Sequence, residues 1–304
     1  MSLKTKALII GFGSIGKKHF KALKELGFEM AVLSKSASEK DFSEFGEFEL
    51  FQSFDECDLN KIDYFVIANI TSLHFDTLKE LNSRVQGKKI LVEKPLFDTQ
   101  KELNLQNKIF VAYLLRFSPL VKELKKRSKE LEIYQANLSC KSFLPSWRKL
   151  DYRTNYSAKK ELGGGVLLDL SHELDLAFFL FGKLNLAYAK NAKISELEIS
   201  SDDLAFLALE KKGLFVSINL NYFSKFDERV IELHSKTCSL RADLLKNELE
   251  IYGKVYEKLS FQSDTILHLK AMHEAVLNEE AEICDYKQGL ELLRLCDEIR
   301  KKNE

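Results

Sequence analysis

Proline is scarce in this chain, with residues 95, 119 and 145 the only three in 304, and no Gly/Ser-rich or low-complexity stretch is present. If there are two domains, no flexible linker separates them, and the length suits one large or two medium domains. Cysteine is sparse and unpatterned. The five residues at 57, 140, 238, 284 and 296 are odd in number, scattered and without a CxxC pair. That argues against a disulfide framework or a zinc site and for reduced thiols in a cytoplasm. Neither sign of charge is in excess, because 46 Lys and Arg cancel 46 Asp and Glu. No footprint for nucleic acid or an anionic membrane follows, and small molecules become the expected partners. Long apolar runs are missing too. None reaches the roughly 18 to 20 residues of a membrane span, and Met1 to Lys6 lacks the apolar core of a signal peptide. A soluble, intracellular, cytoplasmic protein is expected, and no repeat of about 20 to 50 residues appears.

What is present begins with short apolar runs at Ala7–Ile10, Met30–Leu33, Tyr64–Ala68, Ile90–Val92 and Ile109–Tyr113, several of them separated by helix-like segments. Such alternation predicts a parallel sheet covered on both faces. The first run leads into Gly11-Phe12-Gly13-Ser14-Ile15-Gly16 and then an amphipathic pattern from Lys17 to Leu26. A GxGxxG string is weak evidence alone, but closing a strand and opening a helix is the setting of a dinucleotide fingerprint. Gly11 is expected to make the tight turn, Gly13 to admit the pyrophosphate and Gly16 to let helix and strand pack closely. After the second strand, where an acidic residue would bind the ribose of NAD, stand Ser34, Lys35 and Ser36. A lysine between hydroxyls suits a 2′-phosphate, so the cofactor is expected to be NADP or NAD, with the lean toward NADP. The other reading of Lys35 is one more solvated lysine.

A second motif is Gly163-Gly164-Gly165 followed by Val-Leu-Leu-Asp169-Leu-Ser171-His172-Glu173-Leu-Asp175. Apolar residues on every face through Phe181 predict a buried helix. Asp169 and His172, three apart, would then share a face, and a carboxylate-held imidazole suits a general base. A satisfied core histidine is the competing reading. Three glycines at a helix start would leave free N–H groups for a ligand.

Taken in order, GFGSIG, Ala68-Asn69-Ile-Thr71-Ser72-Leu-His74, Glu93-Lys94-Pro95 and GGGVLLDLSHELD make the chain resemble the Gfo/Idh/MocA family of glucose-fructose oxidoreductase and inositol dehydrogenase relatives. The resemblance implies an N-terminal Rossmann domain, residues 1–117, and a C-terminal α+β domain with a large, mostly antiparallel sheet, residues 118–304, whose last helix packs back on the first domain. It implies that Asn69, Thr71, Ser72, His74, Glu93 and Lys94 lie at the cofactor, that Lys94 steadies the reacting oxygen, and that His172 transfers the proton with Asp169 beside it. The commoner family pattern places four positions between acid and histidine, so the gap of three is a departure. Asp175 is a secondary candidate for polar support.

From Ser118 onward, an amphipathic helix over Leu120–Arg127 and strand-like segments at 134–143, 203–209, 214–223 and 229–234 are expected, followed by two helices at 265–277 and 287–301. Between them Trp147, Arg148, Tyr152, Arg153 and Tyr156 form a polar, aromatic stretch suited to sugar C–H faces, hydroxyls or phosphate. An anchored surface loop is the other reading. This stretch is similar to family members of bacterial surface-sugar biosynthesis. Arg116, at the domain junction, is a candidate anion contact.

Together these imply an NAD(P)-dependent sugar dehydrogenase or reductase acting on a secondary alcohol of a sugar, cyclitol or nucleotide sugar, without a metal. Two alternatives share the parts: an NAD-dependent glycoside hydrolase and a cofactor-sensing regulator. A homodimer or homotetramer is expected, as in the family, from open sheet faces.

Overall fold

The computed structural model describes residues 5–35, 37 and 42–302. They fall into two compact units, one within Met1–Leu114 and Asp264–Leu293, the other within Leu115–Ser263 and Arg294–Glu304. Residues 264–293, expected with the second domain, thus group with the first.

The first unit runs β1 (Lys6–Ile10), α1 (Ser14–Glu25), β2 (Glu29–Leu33), α2 (Phe42–Phe45), β3 (Glu49–Phe51), β4 (Tyr64–Ile67), α3 (His74–Arg84), β5 (Lys89–Val92) and β6 (Lys108–Val111). β1 and β4 are apolar and almost wholly buried, as strands covered on both faces must be. β1 pairs in parallel with β2 and β4, and the spatial order is 3-2-1-4-5-6. Chain direction through the sheet reverses between β1 and β4, the switch point where doubly wound sheets bind ligands at their carboxyl ends.

The second unit contains α4 (Pro119–Glu130), β7 (Ile133–Phe143), α5 (Val166–Asp169), α6 (His172–Phe181), β8 (Asn185–Ala192), β9 (Leu204–Lys211), β10 (Leu214–Asn221), β11 (Phe223–Ser235), β12 (Ser239–Asp243), β13 (Glu248–Tyr252) and β14 (Tyr256–Ser260). The strands form one eight-stranded sheet in the order 14-13-12-11-7-10-9-8, antiparallel except where β10 runs parallel to β7. Ala136, Leu138, Val216, Ile218, Leu220 and Leu233 are buried from alternate positions of β7, β10 and β11, the period of two that one covered face demands.

The chain then returns to the first unit with α7 (Thr265–Asn278) and β15 (Cys284–Asp285), followed by α8 (Tyr286–Lys301). Asp264 caps α7, accepting from the amides of Ile266 at 2.7 Å and Leu267 at 3.0 Å. β15 adds antiparallel to the edge of β6. Among the described residues no helix is long and apolar enough to cross a membrane.

Candidate active site

In the first unit the glycine loop lies at the carboxyl end of β1. Gly11 has φ +97°, and a Cβ there would meet the Asn69 amide nitrogen at 2.6 Å, so the turn is open only to glycine. A Cβ on Gly16 would lie 2.1 Å from the Gly11 carbonyl oxygen, which ties the start of α1 onto the strand end. Gly13 differs: it is exposed, and a Cβ there would meet nothing within 4 Å. No side chain caps α1 and no acid occupies its first turn. Bare amides beside open space form the anion cradle of a helix N-terminus. Ser14 is exposed and Ile15 half-buried at its rim. The Phe12 side chain, in contrast, is buried among Phe20, Phe45 and Phe48, with centroids 5.4–5.6 Å away. Only its backbone faces the loop's task.

At the end of β2, Ser34 is buried with its amide on the Phe51 carbonyl at 3.0 Å, Lys35 is exposed, and Ser36 lies outside the described residues. After β4, Asn69 donates to Thr77 Oγ1 at 2.8 Å, while its Oδ1 is buried with no hydrogen-bond partner. A buried acceptor with nothing to accept is costly unless a ligand donates to it. Thr71 is buried and Ser72 half-buried in the turn that follows.

His74, expected beside the cofactor, lies between the loops that follow β4 and β5. Its ring is buried between the two loops, with Nδ1 at 3.0 Å from the Pro95 carbonyl and Nε2 at 3.1 Å from the Asn69 carbonyl, and a neutral ring donates to one of the two. Burial pushes its pKa down, against the two carbonyls that hold it up. Glu93 and Lys94 follow β5, both half-buried, with a cis peptide between Lys94 and Pro95. The Lys94 amide donates to Glu93 Oε2 at 3.1 Å.

In the second unit the glycine triplet serves the chain itself rather than a ligand. Gly163 and Gly164 donate to the carbonyls of Lys160 and Lys159, while Val166 donates to the Asp202 carbonyl and Leu167 to Asp202 Oδ2 at 2.9 Å. Gly165 has φ +124°, and a Cβ there would strike the Asp202 carboxylate. The helix expected to run unbroken to Phe181 is interrupted. Ser171 and Glu173 donate to carbonyls three residues back, so α5 ends at Asp169 and α6 starts at His172. A shared face for Asp169 and His172 was drawn from one continuous helix, and the chain breaks between them.

The Asp169 carboxylate instead accepts from the Tyr222 hydroxyl at 2.6 Å and is hydrogen-bonded to Tyr156. Burial first, and then the charge on Asp169, push both phenol pKa values up, so both stay protonated donors. Trp147 stands edge-on to Tyr222 with centroids 5.2 Å apart, its indole donating to Ser142 Oγ at 3.0 Å. Arg148 is exposed, 5.9 Å from the Tyr156 ring centroid. Trp147, Arg148 and Tyr156 thus gather near Asp169. Tyr152 and Arg153 do not: the Tyr152 hydroxyl accepts from the Glu198 amide, and Arg153 pairs with Asp151 and with Glu198 at 2.6 Å.

Arg116, expected to reach an anion, is buried and bound to Asp175 by donations of 2.6 to 3.1 Å, with its guanidinium 5.0 Å from the Phe179 centroid. Burial raises the Asp175 carboxyl, and Arg116 opposes that shift. The sequence reading missed Tyr222. It ends the inward row Leu214, Val216, Ile218, Leu220, and a phenol in such a row needs a buried acceptor.

Three comparisons bear on this arrangement. Residues 5–109 match the profile of the oxidoreductase family with an NAD-binding Rossmann fold, and residues 132–254 match the GFO/IDH/MocA C-terminal domain. No curated protein matches the chain in sequence. Among solved structures, the UDP-N-acetylglucosamine 3-dehydrogenase of Acidithiobacillus ferrooxidans is 18% identical with a TM-score of 0.78, covering 99% of this chain and 98% of its own. The WlbA dehydrogenase of Bordetella pertussis, in complex with NADH and UDP-GlcNAcA, is 19% identical with a TM-score of 0.76 over 98% and 96%. Levoglucosan dehydrogenase in complex with NADH is 17% identical with a TM-score of 0.82 over 98% and 96%. Identities this low speak for the fold. With both halves matched by the family profiles, the chain belongs to the Gfo/Idh/MocA family of oxidoreductases.

Proposed function

We propose that the protein is an NAD(P)-dependent dehydrogenase or reductase of a secondary alcohol on a sugar or nucleotide sugar. The observation that carries this is the cradle at the carboxyl ends of β1 and β4, where Gly13 opens onto free space beside the uncapped start of α1. Gly11 to Gly16 would hold the diphosphate through backbone amides, and the buried Asn69 Oδ1 would take a donor from the cofactor. Bound there, the nicotinamide supplies a hydride acceptor or donor. Lys35 is exposed where the adenosine ribose ends in such folds, which supports the phosphorylated dinucleotide as the preferred form.

His172 accepts the hydroxyl proton in oxidation and returns it in reduction. Lys94 donates to the oxygen as negative charge develops on it. Asp169, held by Tyr222 and Tyr156, keeps a fixed carboxylate three residues before His172. Trp147 and Tyr156 offer ring faces to a sugar, and Arg148 offers an exposed cation to a phosphate. Two structural neighbours, one named for UDP-N-acetylglucosamine and one bound to UDP-GlcNAcA, support a nucleotide sugar, and the polar, aromatic stretch from Trp147 to Tyr156 supports a place in surface-glycan synthesis. Tyr188, Phe206 and Phe215 are exposed on β8, β9 and β10, which supports a homo-oligomer, checked by sedimentation. The odd, scattered cysteines support a reducing cytoplasm.

The test is absorbance at the nicotinamide band with a panel of free and UDP-linked sugars, beside a His172→Ala variant. Sustained substrate-dependent change is expected, with turnover at least about a hundredfold lower in the variant and cofactor affinity within about twofold. Undiminished turnover in the variant would remove His172 from the mechanism. Product release without net absorbance change would point to a hydrolase, and tight cofactor binding without turnover to a sensor.

A further inference from the structure

Beneath the Glu93-Lys94 segment lies a buried row of hydrogen bonds that the family motifs do not include. Glu93 Oε1 is 2.8 Å from His19 Nε2, His19 Nδ1 is 2.9 Å from His273 Nε2, and His273 Nδ1 is 3.0 Å from the Tyr64 hydroxyl. Four elements of the first unit contribute: α1, α7, β4 and the turn after β5. His19, His273 and Tyr64 are all fully buried.

Only one assignment of hydrogens satisfies every atom with uncharged rings. Ionised, Glu93 can only accept, so His19 Nε2 carries a hydrogen. A neutral His19 then accepts at Nδ1, so His273 donates from Nε2 and accepts at Nδ1, and Tyr64 donates its hydroxyl hydrogen. Reversing the row makes His19 an imidazolium and turns the Tyr64 oxygen into an acceptor. Its hydrogen would then have no partner, because His273 is the one group bonded to that hydroxyl among the described residues. A buried donor left unpaired is what native structures avoid. Burial of His273 next to His19 also disfavours its charged form.

We infer that His19 and His273 are positioning residues: a one-way row of donations from Tyr64 through two neutral Nε2–H histidines fixes the Glu93 carboxylate, whose other oxygen then holds the Lys94 amide. The row is a lock and not a path for protons, because Tyr64 at its far end has no exposure to water and its pKa is pushed well up by burial. Its link to catalysis rests on the reading of Lys94 given above.

The experiment is nitrogen-15 spectroscopy of the histidine rings together with hydrogen exchange of the Lys94 amide, neither of which requires turnover. With only six histidines in the chain, single substitutions assign the rings. His19 and His273 should both show the neutral Nε2–H pattern near neutral pH, and Tyr64→Phe should move the His273 Nδ1 signal while leaving its Nε2–H in place. His19→Asn, whose amide is too short to reach Glu93, should speed Lys94 exchange about tenfold, and His19→Gln, which restores a donor at the ε position, should return it to within about threefold. An imidazolium at either ring, an Nδ1–H tautomer at His273, or equal exchange in the Asn and Gln variants would overturn the inference. Absence of sugar oxidation by the unaltered protein would instead strike the proposed function and leave these signals unchanged.

Discussion

Gly13 and Gly16 stand three residues apart in one loop, and replacing each by alanine should damage different properties of the protein. At Gly13 the backbone sits at φ −76° and ψ −168°, which any residue adopts, and the added methyl meets no atom within 4 Å. Gly13→Ala therefore leaves the fold intact and restricts the unfolded chain, worth about 0.4–1 kcal/mol in its favour. The methyl does occupy the space a diphosphate needs against the amides of α1. Crowding of that kind costs about 1–3 kcal/mol, or about five- to 150-fold in dissociation constant. At Gly16 the methyl lies 2.1 Å from the Gly11 oxygen and 3.1 Å from the Gly11 carbonyl carbon, both backbone atoms that no rotamer change can move. Gly16→Ala should cost about 2 kcal/mol or more and lower Tm by about 4–8 °C. Thermal unfolding of the apoprotein and quenching of intrinsic fluorescence by NADH and NADPH measure the two properties separately. A Gly13→Ala protein that binds both cofactors within about twofold of the parent would refute the cradle, as would one that melts earlier than Gly16→Ala.

The parts of this fold that were legible in the sequence are those whose physics is local. β1, β2, β4 and β5 are runs of apolar residues because a parallel strand is buried on both faces, and such a run needs no distant partner to be recognised. The Gly11–Gly16 loop was legible because turn, approach and packing each require a missing Cβ at a fixed offset. β8 and β12 to β14 were not read as strands. Strands toward the edges are shorter or half-exposed, and the alternation that marks a half-buried strand fades in them. The setting of α5 was illegible for a different reason: Asp202, which accepts from the first amides of α5, and Tyr222, which donates to the Asp169 carboxylate, lie 35 to 53 residues away. Helical periodicity cannot register partners at that separation. His19 and His273 show the limit most sharply, since 254 residues separate them. Arg116 was read as an anion contact from its position at a junction, and its ion pair is with Asp175, 59 positions further along the chain.

The buried Arg116–Asp175 pair should be unforgiving of half its removal. Arg116→Met strands a buried carboxylate and should cost about 3–5 kcal/mol, while Arg116→Met with Asp175→Leu should recover most of that, because swapping both charges for apolar groups is often neutral; denaturant unfolding of the three proteins decides it, and equal loss in the single and double variants would refute it. Stability should also fall on mild acidification, and the sign follows from His273 and His74. Burial lowers the pKa of both rings in the folded protein, His273 the more strongly, where a proton on the ring would also meet His19 beside it. Unfolded, each titrates near the ordinary value of about 6.5. Below that pH the unfolded chain binds protons that the folded chain refuses, so stability rises with pH through this window. Their contribution is fully present above about pH 7 and is lost as pH falls toward the folded-state values. A ring that takes up no proton while folded loses about 1.2 kcal/mol between pH 7 and 5.5, which is the ceiling for either one. Carboxylates whose pKa values are lowered by folding, Glu228 and Asp243 among them, titrate below this range, whereas Asp175 and Asp202, raised by burial, act with the opposite sign to the two rings. Urea unfolding at half-unit pH steps should show stability rising by up to about 2.5 kcal/mol per unit near pH 5.5–6, and a His273→Gln protein with the same slope as the parent would mean that this ring binds its proton as readily folded as unfolded.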